Sequence, residues 1–89
     1  MLIQVTQEHI TRGRRGSQRM CPIACALLDM GYEQVSAANV TTWTKGDQDY
    51  WVAATKEMMD FMDDFDQEVP VRPTVFIFEP IAERYLGRR

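Results

Sequence analysis

The 89-residue chain is predicted to fold as a small α+β domain with the element order β-α-β-β-α-β, an antiparallel hairpin and a central C-terminal strand. Three observations predict this class. A proline-led apolar segment shows helical spacing, and a turn-forming KGDQ sequence at 45–48 joins two segments rich in Val, Thr and Trp. Two prolines then separate an acidic amphipathic segment from the apolar run TVFIFE. The length predicts one domain over residues 1–89.

The first elements are a strand, a short helical turn and a loop. Ile3 and Val5 share one face of the strand. Thr6 is a suitable N-cap for the turn, and Gly13 is suited to the C′ position. The predicted bounds are strand 2–6, helical turn 7–12 and loop 13–20.

A well-signalled helix follows this loop. Cys21 falls at the N-cap, Pro22 fits the first helical position, and Gly31 falls just after the helix end. Cysteine is a poor cap, so the first turn keeps unsatisfied N–H groups. The predicted buried stripe consists of Ile23, Ala26, Leu27 and Met30.

The middle of the chain is predicted to be a long strand over 33–44, a turn at 45–48 and a returning strand over 49–54. Trp43 and Trp51 lie in this hairpin, as core residues or as stacking platforms for a base.

The second helix is predicted from the Thr55 N-cap to about Gln67. TVFIFE is apolar on both faces, which predicts a central strand covered on both sides. A short tail helix is expected to start at Pro80 and to end before Gly87. The predicted apolar stripe of the second helix consists of Met58, Phe61, Met62, Phe65 and Val69.

Charge is unevenly distributed along a chain whose net charge is −3. Residues 9–28 hold four arginines and no acid, whereas residues 57–68 hold six acids and no base. This acidic balance argues against non-specific coating of DNA. A local cationic patch can still hold an anion.

The arginine-rich loop is the candidate ligand site. A helix start carries N–H donors and partial positive charge, glycines let the backbone approach a ligand, and guanidinium groups match phosphate oxygens. The expected ligand is a phosphate-bearing small molecule such as a nucleotide. The candidate residues are Arg12, Gly13, Arg14, Arg15, Gly16, Ser17, Arg19 and Cys21. The alternatives are a solvated loop and contact with a nucleic-acid backbone.

The acidic helix offers a second binding surface. Asp60, Asp63 and Asp64 share one face, where like charges favour a cationic neighbour. That neighbour is the arginine-rich loop, a second copy of the chain or a partner protein, unless the run is only a solvated helix face.

Catalysis is the remote alternative. At a helix start beside arginines, Cys21 is expected to have a lowered pKa, and His9 could act as its base. A small buried residue at a cap is the favoured interpretation, so we expect no enzyme. No metal site or cofactor is expected, because two cysteines and one histidine are too few for zinc.

The expected compartment is the cytoplasm. We find no signal peptide and no apolar run long enough for a membrane span, and two cysteines suit reducing conditions. A homo-oligomer is expected, because so small a domain buries little surface.

Three segments resemble a group of small proteins of tailed bacteriophages. VTQEHITRG followed by CPIACAL is similar to their strand, turn and helix, and FMDDFDQEVPVRPTVFIFE is similar to their closing helix and strand. The resemblance carries over no functional residues and implies a phage accessory protein without catalysis. Its expected role is counter-defence, through a nucleotide signal held by the arginine-rich loop. The alternative is an inhibitor, of the anti-CRISPR or anti-restriction kind, that binds a host defence protein through the acidic helix.

Overall fold

Two antiparallel sheets and three helices make up residues 1–83, the part of the chain that the computed structural model describes. The predicted α+β class is confirmed. In chain order the elements are β1 (Leu2–Val5), α1 (Gln7–Arg12), α2 (Pro22–Asp29), β2 (Glu33–Ser36), β3 (Val40–Lys45), β4 (Gln48–Ala53), α3 (Lys56–Asp66), β5 (Thr74–Ile77) and β6 (Ile81–Glu83).

The smaller sheet pairs β1, the first strand of the chain, with β5. Its inner face carries Ile3, Val5 and Phe76, all of them buried. The prediction that TVFIFE is a central strand covered on both faces is wrong. Within residues 1–83, β5 has only β1 as a partner, and the side chains of Val75 and Ile77 are 46% and 73% exposed.

The predicted α2 is confirmed at both ends. Cys21 is the N-cap without a side-chain hydrogen bond, Pro22 opens the helix, and Gly31 has a φ of +91° just beyond it. Burial of Ile23, Ala26 and Leu27 against β1 and β2 confirms most of the stripe. Met30 is the exception: it is the C-cap, where the helix ends, and it is 42% exposed.

The larger sheet has the strand order β2-β3-β4-β6. The predicted turn is confirmed, because Lys45 pairs with Gln48 across a bend in which Gly46 has a φ of +60°. The single long strand predicted over 33–44 is wrong. The chain reverses at residues 37–39, so that β2 and β3 are two strands that pair antiparallel with each other. At this reversal the Ala37 amide donates to the Gln18 carbonyl.

The third helix begins where predicted, because the Thr55 hydroxyl accepts the Met58 amide at 3.1 Å. The predicted stripe holds for Met58, Phe61 and Phe65, which are buried, whereas Met62 is half-buried. Val69 lies beyond the helix end and is 46% exposed, so its inclusion is wrong.

The C-terminal segment differs from its prediction. Ile81–Glu83 pairs with β4 as strand β6, so no helix starts at Pro80. The rest of the predicted tail helix, residues 84–86, and the Gly87 expected after it lie outside the described residues.

Candidate functional site

The loop between α1 and α2 is held by its own backbone. Arg14 N donates to the Met20 carbonyl at 2.8 Å, and Cys21 N donates to the Ser17 carbonyl at 3.0 Å. The Ser17 hydroxyl also accepts the Met20 amide. These bonds satisfy the amides of Arg14, Met20 and Cys21 within the loop, so those amides are not free for a ligand.

Gly13 is required by packing rather than by a ligand or a left-handed cap. Its φ is −66°, so the expected C′ conformation is wrong. A Cβ at this position would lie 2.7 Å from Cδ of Pro22. The missing side chain therefore lets the loop start pack against the start of α2.

Gly16 already has an anionic partner from within the chain. Its φ is +69°, and its amide donates to Oδ1 of Asp66 on α3 at 2.9 Å. The acidic helix and the arginine-rich loop therefore meet, but the carboxylate is that of Asp66 and its partner is a backbone N–H. None of the three aspartates predicted to attract the arginines forms an ion pair with them within residues 1–83.

Two of the four arginines have partners elsewhere. Arg12 forms an ion pair with Asp29 at 3.0 Å, which raises the pKa of Arg12. The guanidinium of Arg15 lies 5.4 Å from the centre of the Phe65 ring. Arg14 and Arg19 are exposed, and neither forms an ion pair within residues 1–83.

The thiol at the start of α2 is buried. Cys21 is 4% exposed, and burial raises the pKa of its thiol, so the expected lowering is wrong. The amides of Ile23 and Ala24 favour the thiolate but offset only part of this effect. Asp66 adds a small contribution in the raising direction.

His9 joins α1 to α2 instead of serving Cys21. Its Nδ1 accepts the Thr6 amide at 3.0 Å, which leaves the proton of the neutral ring on Nε2. Nε2 lies 2.8 Å from Oδ2 of Asp29 and donates to it. The hydrogen bond from His9, and then the one from Arg12, lowers the pKa of Asp29. His9 thus completes a capping box with Thr6 and clamps the end of α2.

A cleft of about 490 Å³ lies between the loop, the 37–40 segment and one face of α3; we call it the α3 cleft. Three of the predicted ligand residues line it: Gly16, Ser17 and Cys21. Of the three aspartates predicted to bind a partner, only Asp63 lines it. The remaining lining residues were not among the predicted site residues; they are Gln18, Ala37, Ala38, Asn39, Val40, Met59, Met62 and Asp66.

The other predicted residues are dispersed. Gly13 and Arg15 line a separate cavity of about 420 Å³, and Arg12, Arg14 and Arg19 line neither cavity. Asp60 forms an ion pair with Lys56 at 2.8 Å, which raises the pKa of Lys56. The sequence thus grouped residues that the fold separates.

The cleft combines carboxylates with an apolar wall. Asp63 and Asp66 contribute negative charge, and no basic side chain of residues 1–83 lines the cleft. Met59, Met62 and Val40 provide the apolar surface. Such a surface is suited to a cation carried on an aliphatic stem.

The two tryptophans lie outside the α3 cleft. Trp43 is 1% exposed and stacks on Tyr50 with ring centres 5.8 Å apart, so it is a core residue. Trp51 is half-buried on the neighbouring strand, opposite Thr42.

Within residues 1–83, no helix is long and apolar enough to cross a membrane. No three His, Cys, Asp or Glu side chains in that part of the chain are arranged to hold a metal ion. Comparison of the chain with protein-family models, with curated proteins and with solved structures gives no match.

Proposed function

We propose that the protein works by binding, without catalysis, and that the α3 cleft receives a cationic side chain of a partner protein. The charge of the lining carries this proposal: it includes Asp63 and Asp66 but no basic residue of the described chain. Two carboxylates in one cleft disfavour an anionic ligand and favour a cation by Coulomb attraction.

Arginine is the side chain that suits the cleft best. Its guanidinium offers several donors, in a planar fork, to the carboxylate of Asp63 and to the side chains of Ser17 and Asn39. Its methylene groups would pack on Met59 and Met62, whose flexible thioethers adapt to different occupants. Asp66 is partly engaged by Gly16, so Asp63 is the main acceptor.

The setting that we propose is counter-defence in the cytoplasm of a bacterial host. Support comes from the resemblance of residues 5–13, 21–27 and 61–79 to small phage proteins. In this setting the partner is a host defence protein, and the cleft holds an arginine exposed on its surface. This is the anti-CRISPR-like or anti-restriction-like alternative, with the acidic helix as the binding element.

A second candidate function is the binding of an anion at the outer surface of the arginine-rich loop. Arg14 and Arg19 are exposed there without ion pairs inside residues 1–83. A phosphate-bearing ligand would then lie between guanidinium groups and would bind more weakly as salt rises.

Titration with a short arginine-containing peptide, followed by calorimetry, tests the first candidate. We expect Asp63→Asn to weaken binding about tenfold, because a hydrogen bond to a charged group contributes about 1.5–3 kcal/mol. Asp64→Asn is the matched control, because Asp64 is adjacent on α3 but does not line the cleft. Equal losses for the two variants would show that only the overall charge of the helix matters.

The second candidate is tested by replacing Arg14 and Arg19 with alanine and titrating with a nucleotide. Loss of nucleotide binding, with peptide binding unchanged, would favour the loop as the site. Replacement of Arg88 and Arg89, which lie outside the described residues, is the control for total charge.

A further inference from the structure

Strand β5 has an unpaired edge. Within residues 1–83 its one partner strand is β1, and the two form a sheet of their own. Such a two-stranded sheet is marginally stable by itself, and its edges present unpaired peptide groups. Either the outer edge of β1 or that of β5 is therefore a candidate for pairing with a further strand.

The hydrogen bonds of the sheet identify the peptide groups on that edge. Met1 and Phe78 exchange two bonds, at 2.7 Å and 3.0 Å. Because bonded pairs alternate in an antiparallel ladder, Ile3 and Phe76 form the next bonded pair. The N–H and C=O groups of Val75 and Ile77 therefore point away from β1. Val75 and Ile77 also have exposed side chains, 46% and 73% respectively.

The corresponding edge of β1 is less suited to pairing. Its outward positions include Gln4 and Thr6, and the Thr6 amide already donates to Nδ1 of His9. Helix α2 also packs beside β1. The open edge is therefore that of β5.

We propose that this edge pairs with β5 of a second copy of the chain, in antiparallel orientation about a twofold axis at Phe76. Val75 of each copy then lies opposite Ile77 of the other, so their outward N–H and C=O groups form four hydrogen bonds. The result is a four-stranded sheet in the order β1-β5-β5-β1.

Other registers of the antiparallel β5–β5 pair are less favourable. A shift by two residues in one direction places Ile77 opposite Pro73, which has no N–H to donate. The shift in the other direction places Val75 opposite the charged Glu79. The register centred on Phe76 pairs the two β-branched apolar residues, which suit a strand.

Charge complementarity supports pairing with a second copy. Arg72 precedes β5 and Glu79 follows it; both are exposed, and neither forms an ion pair within residues 1–83. Antiparallel pairing brings Arg72 of each copy to the end of the strand where the other copy carries Glu79. The outer face is also continuous, because Leu2 lies opposite Ile77 and Gln4 opposite Val75.

Sedimentation velocity over a range of protein concentrations tests the proposal. We expect the wild-type chain to shift from monomer to dimer as concentration rises, with the amides of Val75 and Ile77 exchanging more slowly with deuterium in the dimer. Ile77→Lys should weaken the dimer at least tenfold, because a charged edge residue opposes strand pairing. The control is Leu28→Lys, which charges an exposed apolar position on α2.

A charge swap keeps the test independent of folding. Arg72→Glu should weaken the dimer, and Arg72→Glu combined with Glu79→Arg should restore it, because each copy again faces an opposite charge. A wild-type chain that stays monomeric at every concentration would overturn the proposal. So would a dimer that survives Ile77→Lys, or a swap that does not restore association.

Discussion

The arginine-rich loop and the acidic helix α3 carry opposite charges, yet they border the same cleft. The loop contributes Gly16, Ser17, Gln18 and the N-cap Cys21 to the lining, while its arginines lie elsewhere. Helix α3 contributes side chains, including Asp63 and Asp66. The sign of the cleft is therefore that of α3. The side chains that reach a cleft, rather than the composition of its borders, therefore determine which ligand it attracts.

The largest expected effect concerns the helix that anchors the loop. Leu27 is fully buried, whereas its neighbour Leu28 is 40% exposed. Leu27→Ala should lower the free energy of unfolding by about 2–5 kcal/mol through lost burial and a cavity. Leu28→Ala should change it by about 0.5 kcal/mol or less. Urea denaturation measures both, and similar losses would show that α2 does not pack through this face.

The two loop glycines should differ in how they respond to larger residues. Gly13→Ala should cost about 1–3 kcal/mol, because its Cβ overlaps the Pro22 ring. At Gly16 there is open space but a positive φ, which costs an alanine about 1–2 kcal/mol. Asn tolerates positive φ, so Gly16→Asn should be milder than Gly16→Ala, whereas Gly13→Asn should be no milder than Gly13→Ala. Thermal unfolding of the four variants measures these differences. Equal losses of stability at the two glycines would refute the packing role of Gly13.

Contact between the loop and α3 should depend on Asp66. Asp66→Ala removes the acceptor of the Gly16 amide and should cost about 1 kcal/mol or less, because the bond is exposed. The Gly16 amide should then exchange faster with solvent deuterium. Asp64→Ala, on the same helix, should leave that amide unchanged. Undisturbed exchange in the Asp66 variant would mean that the loop holds its shape without α3.

The hydrogen bonds from His9 and Arg12 on α1 to Asp29 at the end of α2 should give a contribution to stability that depends on pH in the acid range. The pKa of Asp29 lies below its ordinary value of 3.8, so folding favours its ionised form. This contribution is present above about pH 4 and is lost as pH falls through the lower, folded-state pKa. Asp29→Asn should therefore destabilise the protein at neutral pH and flatten the loss of stability in acid. A variant whose acid unfolding matches that of the wild type would contradict this role.

Local rules in the sequence predicted much of the fold. Thr6 and Thr55 cap helices through their hydroxyls, and Pro22, Gly31 and the KGDQ turn act through backbone conformation. All of them act within a few residues of their own position, so their elements are found where predicted. The apolar run at β5 misled, because apolar residues on both faces indicate a covered strand only if a third element or another chain covers it. At residues 37–39 the chain turns back so that β2 pairs with β3, and the Ala37 amide there donates to the Gln18 carbonyl, a contact that no local pattern reveals.

The candidate site was less predictable for a physical reason. A cluster of arginines in sequence indicates positive charge but not the direction in which each side chain points. Arg12 is drawn to Asp29 and Arg15 to Phe65, both distant in sequence. The cleft instead combines residues from three segments. In the sequence Met59 and Met62 look like ordinary core residues, and only the position of α3 in the fold shows that they line the cleft.

The central claim is that the α3 cleft attracts cations, and nuclear magnetic resonance of the ¹⁵N-labelled chain tests it most directly. The protein is titrated separately with arginine methyl ester and with inorganic phosphate. We predict that the arginine ester shifts the amide resonances of Gly16, Asn39 and Asp63, and that Asp63→Lys abolishes these shifts. Phosphate should leave the resonances of these three amides unchanged. Phosphate shifts centred on the same three amides, without an effect of the arginine ester, would contradict the account.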